Sequence, residues 1–272
     1  MSIARHAGNL QTPRIVSPET MHDAIVAYGI LPFFENPIRG FSVEELTPPA
    51  FWFDGEEDSL GPWDWKIYCV QSGDIAYGKF LNGKAAFATV PFFRDLMNWR
   101  RSLPKYAVPP GPQAEILDYV AKNGSVTIRE IRHLLDVKKN VADGLVTKLQ
   151  MATRLVTGDI LRVYRGADLH YNGWQTASFC TPDALFGLAL PSDGPSGIAS
   201  LPDRLSSPSG LPSGSFSRPA GPGKRAPGGF PFADDEDTEP LPSPARSLER
   251  LLQHLRTVAP QATEAQLVRL IS

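Results

Sequence analysis

Cysteine is nearly absent from this chain: Cys69 and Cys180 are its only two. Two thiols exclude a disulfide framework and a metal site built of cysteines alone, and they fit a reducing compartment. Long apolar runs are missing too. No stretch approaches the roughly 18 uninterrupted apolar residues of a membrane-spanning helix, and the opening MSIARHAGNLQTPRIVSPE lacks the apolar core of a secretory signal. The expectation is a cytoplasmic protein with no membrane partner. Neither sign of charge dominates, since 27 Lys and Arg face 29 Asp and Glu. That balance argues against wholesale coating of nucleic acid and leaves a local basic patch open. His22, His133 and His170 share no ligand spacing, so no metal is expected. Gly-x-Ser-x-Gly, the phosphate-binding loop and the dinucleotide fingerprint are all absent, so no cofactor is expected.

Composition divides what is present. Residues 17–108 form an aromatic-rich α+β region holding four of the five tryptophans. Ser17-Pro18-Glu19 predicts a helix start, with Met21, Ile25 and Tyr28 at helical spacing and Gly29 at its end. After a Pro-rich loop, the run from Trp63 to Val90 reads as β structure, with Asn82-Gly83 as a hairpin turn. A helix from Pro91 to about Arg101 follows. From Pro191 to Ala245, 30 of 55 residues are Pro, Gly or Ser, which predicts a disordered linker over 191–245. Its Asp234-Asp235-Glu236-Asp237 run reads as solvated. Residues 246–272 close the chain as two short amphipathic helices, with Leu248, Leu251, Leu252 and Leu255 on one face. They are expected to dock on this chain or a sister chain, or to take a protein partner.

The region 109–190 has the more specific pattern. Helices are expected over Pro112–Lys122, Thr127–Leu135 and about Lys139–Ala152, the second opening on a capping box from Thr127 to Glu130. Leu155 to Ile160 reads as a strand and tight turn, with further strand character to Tyr164 and from Trp174 to Cys180. Helix, helix, turn, helix and β-hairpin predict a winged helix, so the expected fold class is α+β, a winged helix joined to the aromatic-rich part. If it meets DNA, its third helix enters the major groove, and Lys138, Lys139, Asn140, Lys148, Gln150 and Arg154 are the candidate contacts. Nine Lys or Arg against seven Asp or Glu between Pro112 and His170 is a thin excess for a dedicated reader, and such domains also serve as protein-interaction modules.

The stretch from Phe33 to Lys84 sets Trp52, Trp63 and Trp65 among seven carboxylates: Glu35, Glu44, Glu45, Asp54, Glu56, Glu57 and Asp58. Asp64 stands between two of the tryptophans. A carboxylate held against large rings is desolvated, which raises its pKa and suits it to proton transfer. One reading is a base-binding cup, with Trp52, Trp63, Trp65 and Tyr77 stacking a flipped base. In that cup Glu44, Glu45 or Asp64 handles protons, and Lys79, Arg100 and Arg101 supply positive charge. The other reading gives the carboxylates to backbone capping and the rings to the core. Glu44 and Glu45 are adjacent, so in an extended segment only one of them faces a given pocket. A third, weaker reading is a hydrolase for a small nucleoside or sugar.

The motifs FF-x-N-x-I-x-GFSVEELT (33–47), PWDWK (62–66), IAYGKF (75–80), NWRR (98–101) and LQMATRL (149–155) stand in one order, and VAPQATEAQLVRLI (258–271) closes the chain. In these the sequence resembles the AlkZ-related proteins, distant relatives of the winged-helix DNA glycosylases of DNA repair named AlkZ. The resemblance spans about Ala24 to Phe186 and implies winged-helix architecture and DNA as a partner. The glycosylases proper carry a Gln-x-Gln motif, and this chain has none. Their chemistry therefore does not transfer residue by residue. The leading expectation is a DNA-binding protein that recognises a modified base, and the alternative is a non-enzymatic interaction module.

Overall fold

The computed structural model describes residues 14–53, 61–166, 169–188 and 242–272. The expected linker lies almost wholly outside these residues, as do Asp54, Glu56, Glu57, Asp58 and the acidic run 234–237. Helix α1 (Pro18–Tyr28) begins where the Ser17 side chain accepts from the Thr20 amide, and ends at Gly29 with φ 67°. A Cβ at Gly29 would stand 2.5 Å from the Phe92 ring and 2.7 Å from His254, so only glycine fits. Strand β1 (Ile30–Pro32) leads into two short helices, α2 (Val43–Leu46) and α3 (Ala50–Phe53), in what the sequence presents as loop.

Helix α4 (Pro62–Gln71) overturns the expectation of β structure from Trp63 to Val70. Trp, Ile, Tyr and Val favour strands in isolation, but context overrides that preference. Gly61 and Pro62 start the helix, and Pro62, Trp65, Lys66, Cys69 and Val70 are buried at helical spacing. A Cβ at Gly61 would meet the Phe51 carbonyl oxygen at 2.3 Å, so the helix start is pressed directly on α3.

Strands β2 (Ile75–Leu81) and β3 (Lys84–Thr89) form the hairpin expected at Asn82-Gly83, whose φ values are 52° and 71°. Their antiparallel sheet has the order β1-β3-β2. Helix α5 (Val90–Arg101) follows, then a 3-10 turn at Pro104–Tyr106.

The second half runs α6 (Pro112–Asn123), β4 (Val126–Thr127), α7 (Ile128–Leu135), α8 (Lys139–Met151), β5 (Val156–Arg165), β6 (His170–Cys180) and α9 (Pro182–Phe186). The capping box is present: the Thr127 hydroxyl accepts from the Glu130 amide, and the Glu130 carboxylate accepts from the Thr127 amide. Strands β4, β6 and β5 form an antiparallel sheet in that order. Ile116, Val120, Val126, Ile131, Val146, Leu149, Leu155 and Phe179 fill the core between the three helices and this sheet. The chain is thus a mixed α+β protein with two small sheets.

Helices α10 (Pro244–Val258) and α11 (Glu264–Ile271) pack on the body. Ser247 donates to the buried Asp95 at 2.8 Å, with Arg250 at 3.3 Å from the same carboxylate. His254 lies 4.0 Å from the Phe92 ring and 2.8 Å from the Tyr28 carbonyl. Leu251, Leu252, Leu255, Leu267, Leu270 and Ile271 are buried on this chain. The apolar faces expected to take a protein partner are therefore covered by α5 and its surroundings. Among the described residues, no helix is long and apolar enough to cross a membrane.

Candidate functional site

Phe33, fully buried, organises the aromatic cluster. The rings of Trp52 and Trp63 meet it edge to face at 5.7 and 5.9 Å, and Phe87 lies 5.9 Å away, with Tyr77 stacked beyond at 4.7 Å from Phe87. Trp65 turns the other way, buried against Phe51 at 5.4 Å. Of the three tryptophans expected to form a cup, Trp63 alone is classed as exposed, at 44%. Tyr77 is partly buried, and burial pushes its phenol well above the usual tyrosine range.

The first turn of α4 faces the hairpin β5–β6. Asp64 Oδ1 receives three donors: Arg162 Nε at 3.1 Å, the Tyr171 hydroxyl at 2.6 Å and Gln175 Nε2 at 3.2 Å. Gln175 also donates to the Trp63 carbonyl at 3.2 Å and to the Tyr171 hydroxyl at 3.0 Å. Burial, reinforced by donation to Asp64, raises the Tyr171 phenol. Below this polar junction Ile67 and Val70 of α4 pack on Ile160 of β5, with Tyr77 and Ala177 alongside.

Lys66 lies in the same turn. Only 4% of it is exposed, and Nζ stands 3.2 Å from the centroid of the Trp63 ring. Burial lowers its pKa to about 7, while the Asp64 charge opposes the shift. No hydrogen bond or ion pair holds the amine among the described residues. A ring contact returns about 0.5–2 kcal/mol, whereas burying a charged ammonium costs several kcal/mol. Desolvation therefore wins, and the neutral amine is a populated form near neutrality.

The other expected carboxylates have structural partners. Glu44 and Glu45 lie on α2, not in an extended segment. Glu44 accepts from the Glu35 amide at 2.8 Å, and Glu45 accepts from the Gly40 amide at 2.8 Å and the Ser42 hydroxyl at 2.6 Å. Both fasten the loop between β1 and α2, which is the capping role.

Arg100 is fully buried and donates to the carbonyls of Phe80, Met151 and Ile271 at 2.6, 2.9 and 2.9 Å; burial brings its pKa down to about 10. Arg101 bonds the Thr153 hydroxyl at 3.3 Å and the Thr153 carbonyl. Lys79 donates from its backbone to Gln150 at 3.0 Å and from Nζ to Thr147 at 3.2 Å. These cations join segments of the fold and are not gathered around Trp63.

On α8 and the turn before it, Lys138, Lys139, Asn140 and Lys148 are exposed, and Lys139 pairs with Asp143 at 2.8 Å. Gln150 is 2% exposed, holding the Lys79 amide and lying 3.3 Å from the Thr157 hydroxyl. It therefore reads no base edge, because the side of α8 that carries it packs on β2. Arg154, beyond the end of α8, is half-buried.

Lys66, Arg162, Tyr171 and Gln175 are the residues that sequence reasoning missed. The first stood inside the PWDWK motif, and the other three lie about a hundred residues from the carboxylate they meet. Among the described residues, no group of three or more His, Cys, Asp or Glu could hold a metal ion. A profile for the family described as AlkZ related matches residues 15–193. No curated protein and no solved structure matches the chain.

Proposed function

Because the chain belongs to the AlkZ-related family, we propose that it is a winged-helix DNA-binding protein that holds a modified base near Trp63. The observation that carries this reading is the order α6-β4-α7-α8-β5-β6 with the sheet order β4-β6-β5. That order supports reading the region as a winged helix, with α8 as recognition helix and β5–β6 as wing. Lys138, Lys139 and Lys148 supply phosphate contacts on α8, and exposed Arg129 and Arg132 on α7 extend the basic face. The wing carries Leu161, Tyr164, Leu169 and Trp174 exposed, with the Arg165 guanidinium 5.3 Å from the Trp174 ring. Aromatic side chains on a basic element suit stacking against unpaired bases. The junction at Asp64 fixes this wing relative to Trp63, so in this reading a base turned out of a duplex on the wing comes within reach of the exposed Trp63 indole.

The test is duplex affinity as a function of salt, for the native chain and for a K138E/K139E/K148E variant. Loss of three phosphate contacts lowers the magnitude of the log–log salt slope by about 2 to 3. An unchanged slope removes α8 from the interface. Base release is scored in parallel on duplexes with alkylated bases. Without Gln-x-Gln, any release relies on other residues, and the D64N variant reports whether Asp64 is among them.

A second reading, a protein-interaction module, is favoured by Leu134 and Val141, apolar residues 40% and 45% exposed on α7 and α8. Absence of any duplex binding by the native chain moves the conclusion there.

A further inference from the structure

Lys66 is a cation placed where a cation is poorly kept. Its stem is buried in the first two turns of α4, its nitrogen lies on the Trp63 ring, and no hydrogen bond or ion pair among the described residues engages it. Asp64, two residues earlier, is the charged group that acts on it, and one oxygen of that carboxylate is already bonded by Arg162, Tyr171 and Gln175. The ring that covers the nitrogen is itself exposed and stands in the first turn of the helix.

We infer that Lys66 is a nucleophilic amine that forms an imine with an aldehyde held against Trp63. A desolvated lysine beside an aromatic wall has the lone pair that such a reaction needs, which an exposed lysine, fully protonated near neutrality, does not. The nitrogen lone pair forms the bond to the aldehyde carbon, and the carbonyl π pair moves to oxygen. The two protons of the amine leave with that oxygen as water, and the carbon–nitrogen double bond completes the imine. No oxidant or reductant is involved. The aldehyde that fits a DNA-binding protein is the ring-opened sugar of an abasic site. That choice of substrate rests on the DNA reading above; the chemistry of the amine does not.

The experiment separates the two. The full chain is incubated with glyoxylate and sodium cyanoborohydride from pH 5.5 to 9, and the reduced adducts are located by peptide mass mapping. Burial brings the pKa of the Lys66 amine down to about 7, so near neutrality far more of it is unprotonated than of an ordinary lysine, for which the share is roughly one in a few thousand. Lys66 is expected to label at least about tenfold faster than the other lysines at pH 7, with a rate that levels off above neutrality. Labelling no faster than the exposed lysines overturns the inference, whatever DNA does.

A duplex with a single abasic site is then treated with the chain and cyanoborohydride. A covalent complex formed by the native chain and lost in Lys66→Met, with non-covalent duplex affinity retained, supports the abasic sugar as substrate. Glyoxylate labelling at Lys66 without a DNA complex overturns that substrate and leaves the nucleophile standing.

Discussion

Arg162 Nε donates to Asp64 Oδ1 at 3.1 Å and so fastens the hairpin β5–β6 to the first turn of α4, across 98 residues of chain. Asp64 accepts from three donors at this junction, and its removal takes that acceptor from Arg162 and Tyr171, while Gln175 keeps the Trp63 carbonyl. Asp64→Ala is expected to destabilise the fold by about 1–3 kcal/mol, and Asp64→Asn by less, since the amide oxygen still accepts. Urea unfolding monitored by tryptophan fluorescence measures both. An alanine variant as stable as the native chain would show that the junction does not hold the two halves together.

Gln150 and Lys148 sit two residues apart on α8 and are expected to separate stability from binding. Gln150→Ala removes the acceptor of the part-buried Lys79 amide, at a cost of about 0.5–1.5 kcal/mol in unfolding free energy, with DNA affinity unchanged. Lys148→Glu is expected to do the reverse, weakening duplex binding at low salt while leaving the melting temperature nearly where it was. A Gln150 variant that unfolds normally but loses DNA would return that residue to the interface.

Arg100→Met removes a donor from three carbonyls, the buried ones of Phe80 and Ile271 and the part-buried one of Met151. The expected cost is about 2–6 kcal/mol, about 1–3 for each buried carbonyl left without its donor. Hydrogen exchange should locate the loosening in α11, whose last turn is held through Ile271. Exchange that rises uniformly over the whole chain would contradict a local role.

The pH dependence of stability follows from Lys66. Its folded pKa, about 7, lies well below that of an ordinary lysine, so above pH 7 the unfolded chain binds more protons at this residue than the folded one. Stability therefore rises with pH from about 7 toward 9, by up to roughly 1.4 kcal/mol per unit from this residue. Above about pH 9 the raised Cys69 thiol, pushed up to about 12, and the raised Tyr77 phenol act in the opposite direction. Lys66→Met should abolish the rise between pH 7 and 9, as measured by chemical denaturation at each pH. A rise of the same size in the variant would assign it to another group.

Local signals carried most of the architecture. Ser17-Pro18, Asn82-Gly83 and the Thr127–Glu130 capping box each determine a start or a turn within four residues, and each stands where the sequence places it. Where burial comes from distant contacts, the reading failed. The β-forming residues of α4 are helical because Pro62, Trp65, Lys66, Cys69 and Val70 have a body to pack against on one side. Gln150 looks like an outward residue of a helix with one buried face, but α8 is covered on a second side by β2. At the candidate site the tryptophans and Asp64 could be found from composition. Lys66 could not be singled out, because its character comes from desolvation under Trp63. Arg162, Tyr171 and Gln175 join the site only through tertiary structure.

The bond from Arg100 to the Ile271 carbonyl also sets an order of events during synthesis. On the ribosome, α5 is made some 150 residues before α10 covers it, and Arg100 waits longer still for the last of its three carbonyls. Throughout that interval the apolar side of α5 is uncovered and the Arg100 guanidinium lacks one of its three acceptors. The nascent chain's vulnerability to aggregation and proteolysis is therefore concentrated in the time before α10 and α11 are made and packed on α5.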